Sequence, residues 1–177
     1  MEKLEKLFSK LENIFLILSQ VALVIMMILT TFDAFSRYLF SNSIVGAYEV
    51  TEMYLMVALV FLSMSYVQKV DGHIRLDILF ERFPKRVQAI VNSVFYVLAA
   101  GMMFFIGLKG LEMTINALQN NLVASGLINL PLWISYIWIP IGAFLIMVRL
   151  VIQVILLLIG REAHPVKEIL IEEDDFE

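Results

Sequence analysis

The chain has 177 residues, of which 60% are hydrophobic and only 17% charged, with a formal net charge of −4 and a mean hydropathy of +0.86. Soluble domains are about half apolar and about a quarter charged, so a water-soluble globule of this length could not hide so much apolar surface, and an all-α integral membrane protein is expected. The absence of cysteine excludes disulfides, iron–sulfur clusters and thiolate metal sites.

Residues 2–12 place Leu4, Leu7, Phe8 and Leu11 on one helical face and Lys3, Lys6 and Lys10 elsewhere. This pattern suits an interfacial amphipathic helix leading into the first span. Four long apolar runs follow, giving transmembrane helices at roughly 14–36, 48–68, 87–116 and 132–159. Each can cross a hydrocarbon core of about 30 Å at about 1.5 Å per residue. Strands are excluded, because transmembrane strands are about half as long and alternate in polarity. The first run is long for a signal peptide, and no small-x-small cleavage pattern follows it, so a retained helix is expected. Residues 1–165 then form a single four-helix membrane domain, and 166–177, ending EILIEEDDFE, an acidic tail.

Between the second and third spans lies DGHIRLDILF, residues 71–80. Asp71 and Gly72 supply a turn. Leu76, Leu79, Phe80 and Phe83 recur at helical spacing, which predicts a short amphipathic helix over 75–83 on the membrane surface, stopped by Pro84. His73 reads as a loop imidazole that caps or packs a turn. A metal site would need more donors, and the one other histidine, His164, lies in the tail. Asp77 is placed to cap the short helix or to pair with Arg75.

Lysine and arginine set the orientation. Ten of the 13 fall in the N-terminus, the loop after the second span and the tail, which share a side if there are four spans. Only Arg37 and Lys109 fall on the other side. By the positive-inside rule both termini are cytoplasmic and the chain is a multi-pass protein of a bacterial inner membrane.

The charges near the spans need partners. Asp33 and Arg37 stand in the acid-first i,i+4 order that favours pairing, and Lys109 and Glu112 form a similar pair. Glu49 and Glu52 are three apart and are expected to share a face. They could bind a coupling cation or relay protons. The structural alternative, pairing with Arg37 or a neighbouring subunit at headgroup level, is preferred because the apolar run proper begins only at Met53. Arg149, inside the fourth run, is expected to snorkel or meet a lipid phosphate. Trp133, Tyr136 and Trp138 crowd the outer end of the fourth span as an aromatic belt would. Pro131 suits a first helical turn, and Pro140 is expected to kink the span.

Several of these residues together resemble the small membrane subunit of the tripartite ATP-independent periplasmic (TRAP) transporters. They are Arg37-Tyr38-x-Phe40, Glu49 twelve residues after that Arg, the second span with Phe61, His73-x-x-x-Asp77 after a Gly, and Pro131-x-Trp133-x-x-Tyr136-x-x-x-Pro140-x-Gly142. The match lies in their order and placement among four spans. One departure is Ser63, where the family often has Gly. The resemblance implies a complex. A large multi-span subunit carries sodium and substrate by an elevator-like movement, and a soluble periplasmic substrate-binding protein delivers the cargo. The small subunit extends the fixed scaffold, in contact with membrane phospholipids. The family's cargo class is organic acids such as sialic acids or C4-dicarboxylates.

The chain's own residues agree with that role, since no internal repeat or pair of broken helices marks a transport core. No catalytic residue, cofactor, metal or nucleic-acid partner is assigned, and an enzyme is not expected. Two alternatives remain: a self-sufficient small exporter working through Glu49 and Glu52, or the anchor subunit of another membrane complex. A haem-binding anchor would place axial histidines inside spans, and His73 and His164 lie outside them.

Overall fold

The computed structural model describes residues 2–70 and 85–158. Residues 2–40 contain neither Gly nor Pro, and they form one uninterrupted helix, α1 (Glu2–Phe40). The separate interfacial helix expected over 2–12 is therefore the start of α1, because nothing in the sequence breaks the helix before the span. The second expected interfacial helix, with Leu76, Leu79, Phe80 and Phe83, lies outside the described residues, as do His73 and Asp77.

Helix α1 stops at Ser41, which takes a left-handed φ of 55°. Gly46, at φ 81°, is the N-cap of the second helix. A side chain at Gly46 would also collide with Ile128. Glycine is thus required twice over, by the backbone angle and by the neighbour that fills its side-chain space. Helix α2 (Ala47–Lys69) is not regular. It is π-helical over Thr51–Leu55, a wide turn that inserts one residue into the spiral and resets the faces above and below it.

Helix α3 (Lys85–Gln119) ends in a left-handed Asn121 at φ 47°, with Leu122 N–H returning to the Ala117 carbonyl at 3.0 Å. This is a Schellman cap with asparagine in the place glycine usually takes. The loop that follows folds back on itself, with Ala124 N–H on Leu130 O at 2.8 Å and Leu132 N–H on Leu122 O at 3.0 Å. The fourth run is two helices, α4 (Leu132–Tyr136) and α5 (Trp138–Leu158). Pro140 has no N–H for the Tyr136 carbonyl and its ring crowds that oxygen. The helix therefore breaks at Ile137, one turn before the proline. Pro131 is the N-cap of α4 rather than a residue of its first turn.

The helices pack in a row. α1 lies on α2, α2 on α5, and α3 on α4 and α5. α2 and α5 come close at Gly142, where an added side chain would meet the backbone of Phe61. The apolar core lies between α2, α3 and α5, around Tyr96, Ala100, Ile146 and Leu150, with Met64, Met103 and Met147 against it. Phe104 and Phe144 meet edge to face at 6.5 Å.

A row buries little of its end members. α1 leaves Ile14, Ile17, Val24, Ile28 and Phe35 open, and α3 leaves Phe95, Leu98, Met102 and Phe105 open. No soluble monomer exposes apolar faces on this scale. Among the described residues four helical stretches, Leu7–Phe40, Ala47–Lys69, Ile90–Gln119 and Leu132–Leu157, are long and apolar enough to cross a membrane, and lipid tails would cover those faces. α1, at 39 residues, is about 58 Å long, so it tilts or projects beyond a core of about 30 Å. The end of the row with the start of α1, Lys69 and the start of α3 is termed the inner end, and the end with residues 41–46 and 120–131 the outer end.

Candidate functional site

The charged and polar side chains that the row encloses gather in two places, one near each end. At the inner end the centre is Glu12 of α1, which is wholly buried (0% exposed). Arg149 of α5 grips it with both prongs of its guanidinium: Nε donates to Glu12 Oε1 at 2.7 Å and Nη2 donates to Oε2. Ser65 of α2 donates to the same Oε1 at 2.7 Å, and Arg149 also stands 5.6 Å from the ring centroid of Phe8. One turn further in, Gln68 Nε2 donates to Gln153 Oε1 at 2.8 Å, and Gln153 Nε2 returns to the Gln68 carbonyl at 3.1 Å. Lys69 Nζ donates to Ser9. α1 and α5, which barely touch elsewhere, are thereby clasped to each other and to α2 through hydrogen bonds.

Burial makes this clasp strong in one sense only. A buried pair loses hydration that its mutual attraction barely recovers, yet removing one partner strands the other charge and costs about 3–5 kcal/mol. The clasp consequently dictates which helices meet and at what depth, more than it adds net stability. Arg149 neither snorkels nor meets a lipid phosphate, as its sequence position suggested. A carboxylate at its own depth holds it inside the protein.

The outer end is organised by Asp33 and Glu49. Asp33 accepts from Arg37, four residues on, and from Ile44 N–H at 2.8 Å, so it caps the loop after α1. Glu49 reaches across to the other outer loop. Its Oε1 accepts from Leu127 N–H at 2.5 Å and its Oε2 from Ile128 N–H at 3.1 Å. A side chain at Gly126 would collide with that carboxylate, so the glycine makes room for it. Tyr54 O–H donates to Pro131 O at 2.6 Å, and Ser135 Oγ donates to Met53 O.

Arg37 and Glu49 therefore do not pair, and each has a different partner. Glu49 and Glu52 likewise have separate partners: the π-turn begins between them, and Glu52 is exposed and accepts from the Tyr48 hydroxyl. Lys109 and Glu112 do pair, at 2.6 Å, with both side chains largely in the open. Such a pair contributes little, about 0–1 kcal/mol.

Trp133 and Tyr136 are half-buried on α4. Trp138 lines an apolar groove of roughly 270 Å³ between α1, α2, α4 and α5, together with Leu18, Val21, Ile25, Ala58 and Leu62. Among the described residues no group of three or more His, Asp or Glu side chains could hold a metal ion.

Glu12, Ser65, Gln68 and Gln153 carry the inner clasp, and nothing in their local sequence marks them. The one available signal was Arg149 itself. A cation inside an apolar run calls for an anion at matching depth on another helix, and Glu12 sits just ahead of the first apolar run.

Residues 26–160 match the family model described as tripartite ATP-independent periplasmic transporters, DctQ component. The chain is also similar to the ectoine TRAP transporter small permease protein TeaB of Halomonas elongata, at 24% identity over 164 residues, which cover 91% of this chain and 81% of that protein. Two residues that suggested the resemblance, Phe61 and Gly142, meet where α2 and α5 come close. A four-helix row clasped at both ends, matched by that model over most of its length, belongs to the DctQ family, the small membrane subunits of TRAP transporters.

Proposed function

We propose that this chain is a fixed scaffold in the inner membrane, with both termini cytoplasmic. It extends a large multi-span subunit that moves sodium and cargo, and a soluble substrate-binding protein supplies the complex from outside. The observation that carries this reading is the state of the carboxylates. Both oxygens of Glu12 and both of Glu49 already accept hydrogen bonds from this chain's own donors. A carboxylate tied to a guanidinium or to two amides is a poor ligand for a cation that comes and goes, whereas it is well suited to holding helix ends in place. This weighs against a self-sufficient exporter built on Glu49 and Glu52. The phospholipid contact falls to the open flanks of α1 and α3 and to the apolar groove beside Trp138.

Cargo choice belongs to the partners in this reading. An organic acid such as a sialic acid or a C4-dicarboxylate fits the family, and the ectoine of the relative's name joins the panel to be tried. The test is uptake by the reconstituted three-part complex, titrated with sodium. With Glu49→Gln or Glu52→Gln in this chain, the sodium curve keeps its midpoint and steepness. A lost or shifted sodium dependence with the complex intact would move the ion pathway into this subunit.

A further inference from the structure

The π-turn of α2 and the break between α4 and α5 lie side by side. In the turn, Met56 N–H reaches back five residues to Thr51 O, where an α-helix would reach four. Helix α4 has only five residues, too few to hold its shape alone, and Pro140 denies its last carbonyl the usual link to α5. Both ends of α4 are tied instead to the turn. Tyr54 O–H donates to Pro131 O, at the start of α4, at 2.6 Å, and Ser135 Oγ, near its end, donates to Met53 O. A carbonyl freed from its own ladder inside a membrane needs such a donor.

The faces of α2 show the same extra residue. Gln68 follows Glu49 by 19 residues and Phe61 follows it by 12. At about 100° per residue in an unbroken α-helix, Glu49 would stand about 100° from Gln68 and about 120° from Phe61. With one residue fewer to count, the separations fall to about 0° and about 20°. The contacts match the second case. Gln68 bonds to Gln153 of α5, Phe61 abuts Gly142 of α5, and Glu49 holds the loop that leads into α4. One face of α2 thus serves the whole fourth run, provided that the turn absorbs one residue.

We infer that Thr51–Leu55 hold a one-residue insertion in the second span, and that this insertion is a latch for α4. It frees the Met53 carbonyl for Ser135 while leaving Glu49 on the face shared with Phe61 and Gln68. The latch keeps α4 fixed to α2 across the break at Ile137.

Two deletions in one helix separate an inserted residue from an ordinary one. Removal of Glu52, which is exposed, should let α2 run as a regular α-helix with Glu49 still on its face. In the purified full chain, hydrogen exchange at the Leu127 and Ile128 amides should then stay within about twofold of the parent. Exchange over residues 132–137 should rise about tenfold, because Met53 O returns to its own helix and Ser135 loses its acceptor. Removal of Val60, also exposed but in the regular part of the helix, should swing Glu49 about 100° away. Exchange at Leu127 and Ile128 should then rise at least about tenfold, and loss of folded protein in this variant alone would support the insertion equally. Faster exchange at Leu127 after removal of Glu52, or none after removal of Val60, would overturn it, as would loss of folded protein in both. A third variant tests the latch without moving the backbone. Ser135→Ala should speed exchange over residues 132–137 about tenfold and leave Leu127 and Ile128 as they are. Unchanged exchange over α4 would overturn the latch.

Discussion

Glu12, near the start of α1, and Arg149, in the inner half of α5, form a two-pronged ion pair from which water is shut out. α1 lies at one end of the helix row and packs chiefly on α2. This pair therefore joins an end helix to one that is not its main neighbour, and it does so at a single depth. A lateral slip or rotation of α1 would leave a guanidinium and a carboxylate unpaired in an apolar setting.

Removing one member should be far worse than removing both. Glu12→Ala is expected to destabilise the protein by about 3–5 kcal/mol, whereas Glu12→Leu with Arg149→Met should recover most of the loss, because a matched apolar pair has no stranded charge. Unfolding of the purified protein in detergent, followed for both single variants and the double variant, gives the coupling between the two sites. Additive effects would contradict a clasp.

At the other end the prediction concerns two amides. Glu49→Ala leaves Leu127 N–H and Ile128 N–H without their charged acceptor, at about 1.5–3 kcal/mol per bond. Hydrogen exchange at these amides should accelerate at least about tenfold. Lys109→Ala, which breaks an exposed pair, should leave exchange and stability within about 0.5 kcal/mol of the parent. Unchanged exchange in Glu49→Ala would mean that Glu49 does not hold the loop.

The helix row makes opposite predictions for two glycines. A side chain at Gly142 would strike the Phe61 backbone, whereas one at Gly101 would meet nothing within 4 Å. Gly142→Leu should push α2 and α5 apart and abolish monodisperse protein. Gly101→Ala should be tolerated and gain about 0.5–1 kcal/mol from helix propensity. Equal behaviour of the two variants in size-exclusion chromatography would refute the α2–α5 contact.

The spans were legible in the sequence because apolar runs of the right length admit few other structures. The i,i+4 partner of Arg37 was legible for a similar reason, since spacing along one helix is fixed. Contacts between helices were another matter. Whether Glu49 meets Arg37 or the 126–128 loop depends on the rotation of α2, and the π-turn at Thr51–Leu55 alters that rotation without leaving a mark in hydropathy. Glu12 lay hidden among the charges of an amphipathic start, where a solvated face was the ordinary expectation. Pro140 announced a break, and the missing bond to Tyr136 places that break a turn earlier, at Ile137.

Orientation can be tested with single cysteines, since the chain has none of its own. In intact cells an impermeant maleimide should label Ser43→Cys and spare Asp71→Cys, as the positive-inside distribution requires. The reverse pattern would invert the subunit.

A subunit that supports transport without performing it moves no cargo by itself. Uptake into proteoliposomes under an imposed sodium gradient, measured with this chain alone and then with the large subunit and binding protein present, tests this. No accumulation is expected with the chain alone, and sodium-driven accumulation with the complete set. Accumulation by the chain alone would show that it performs transport itself.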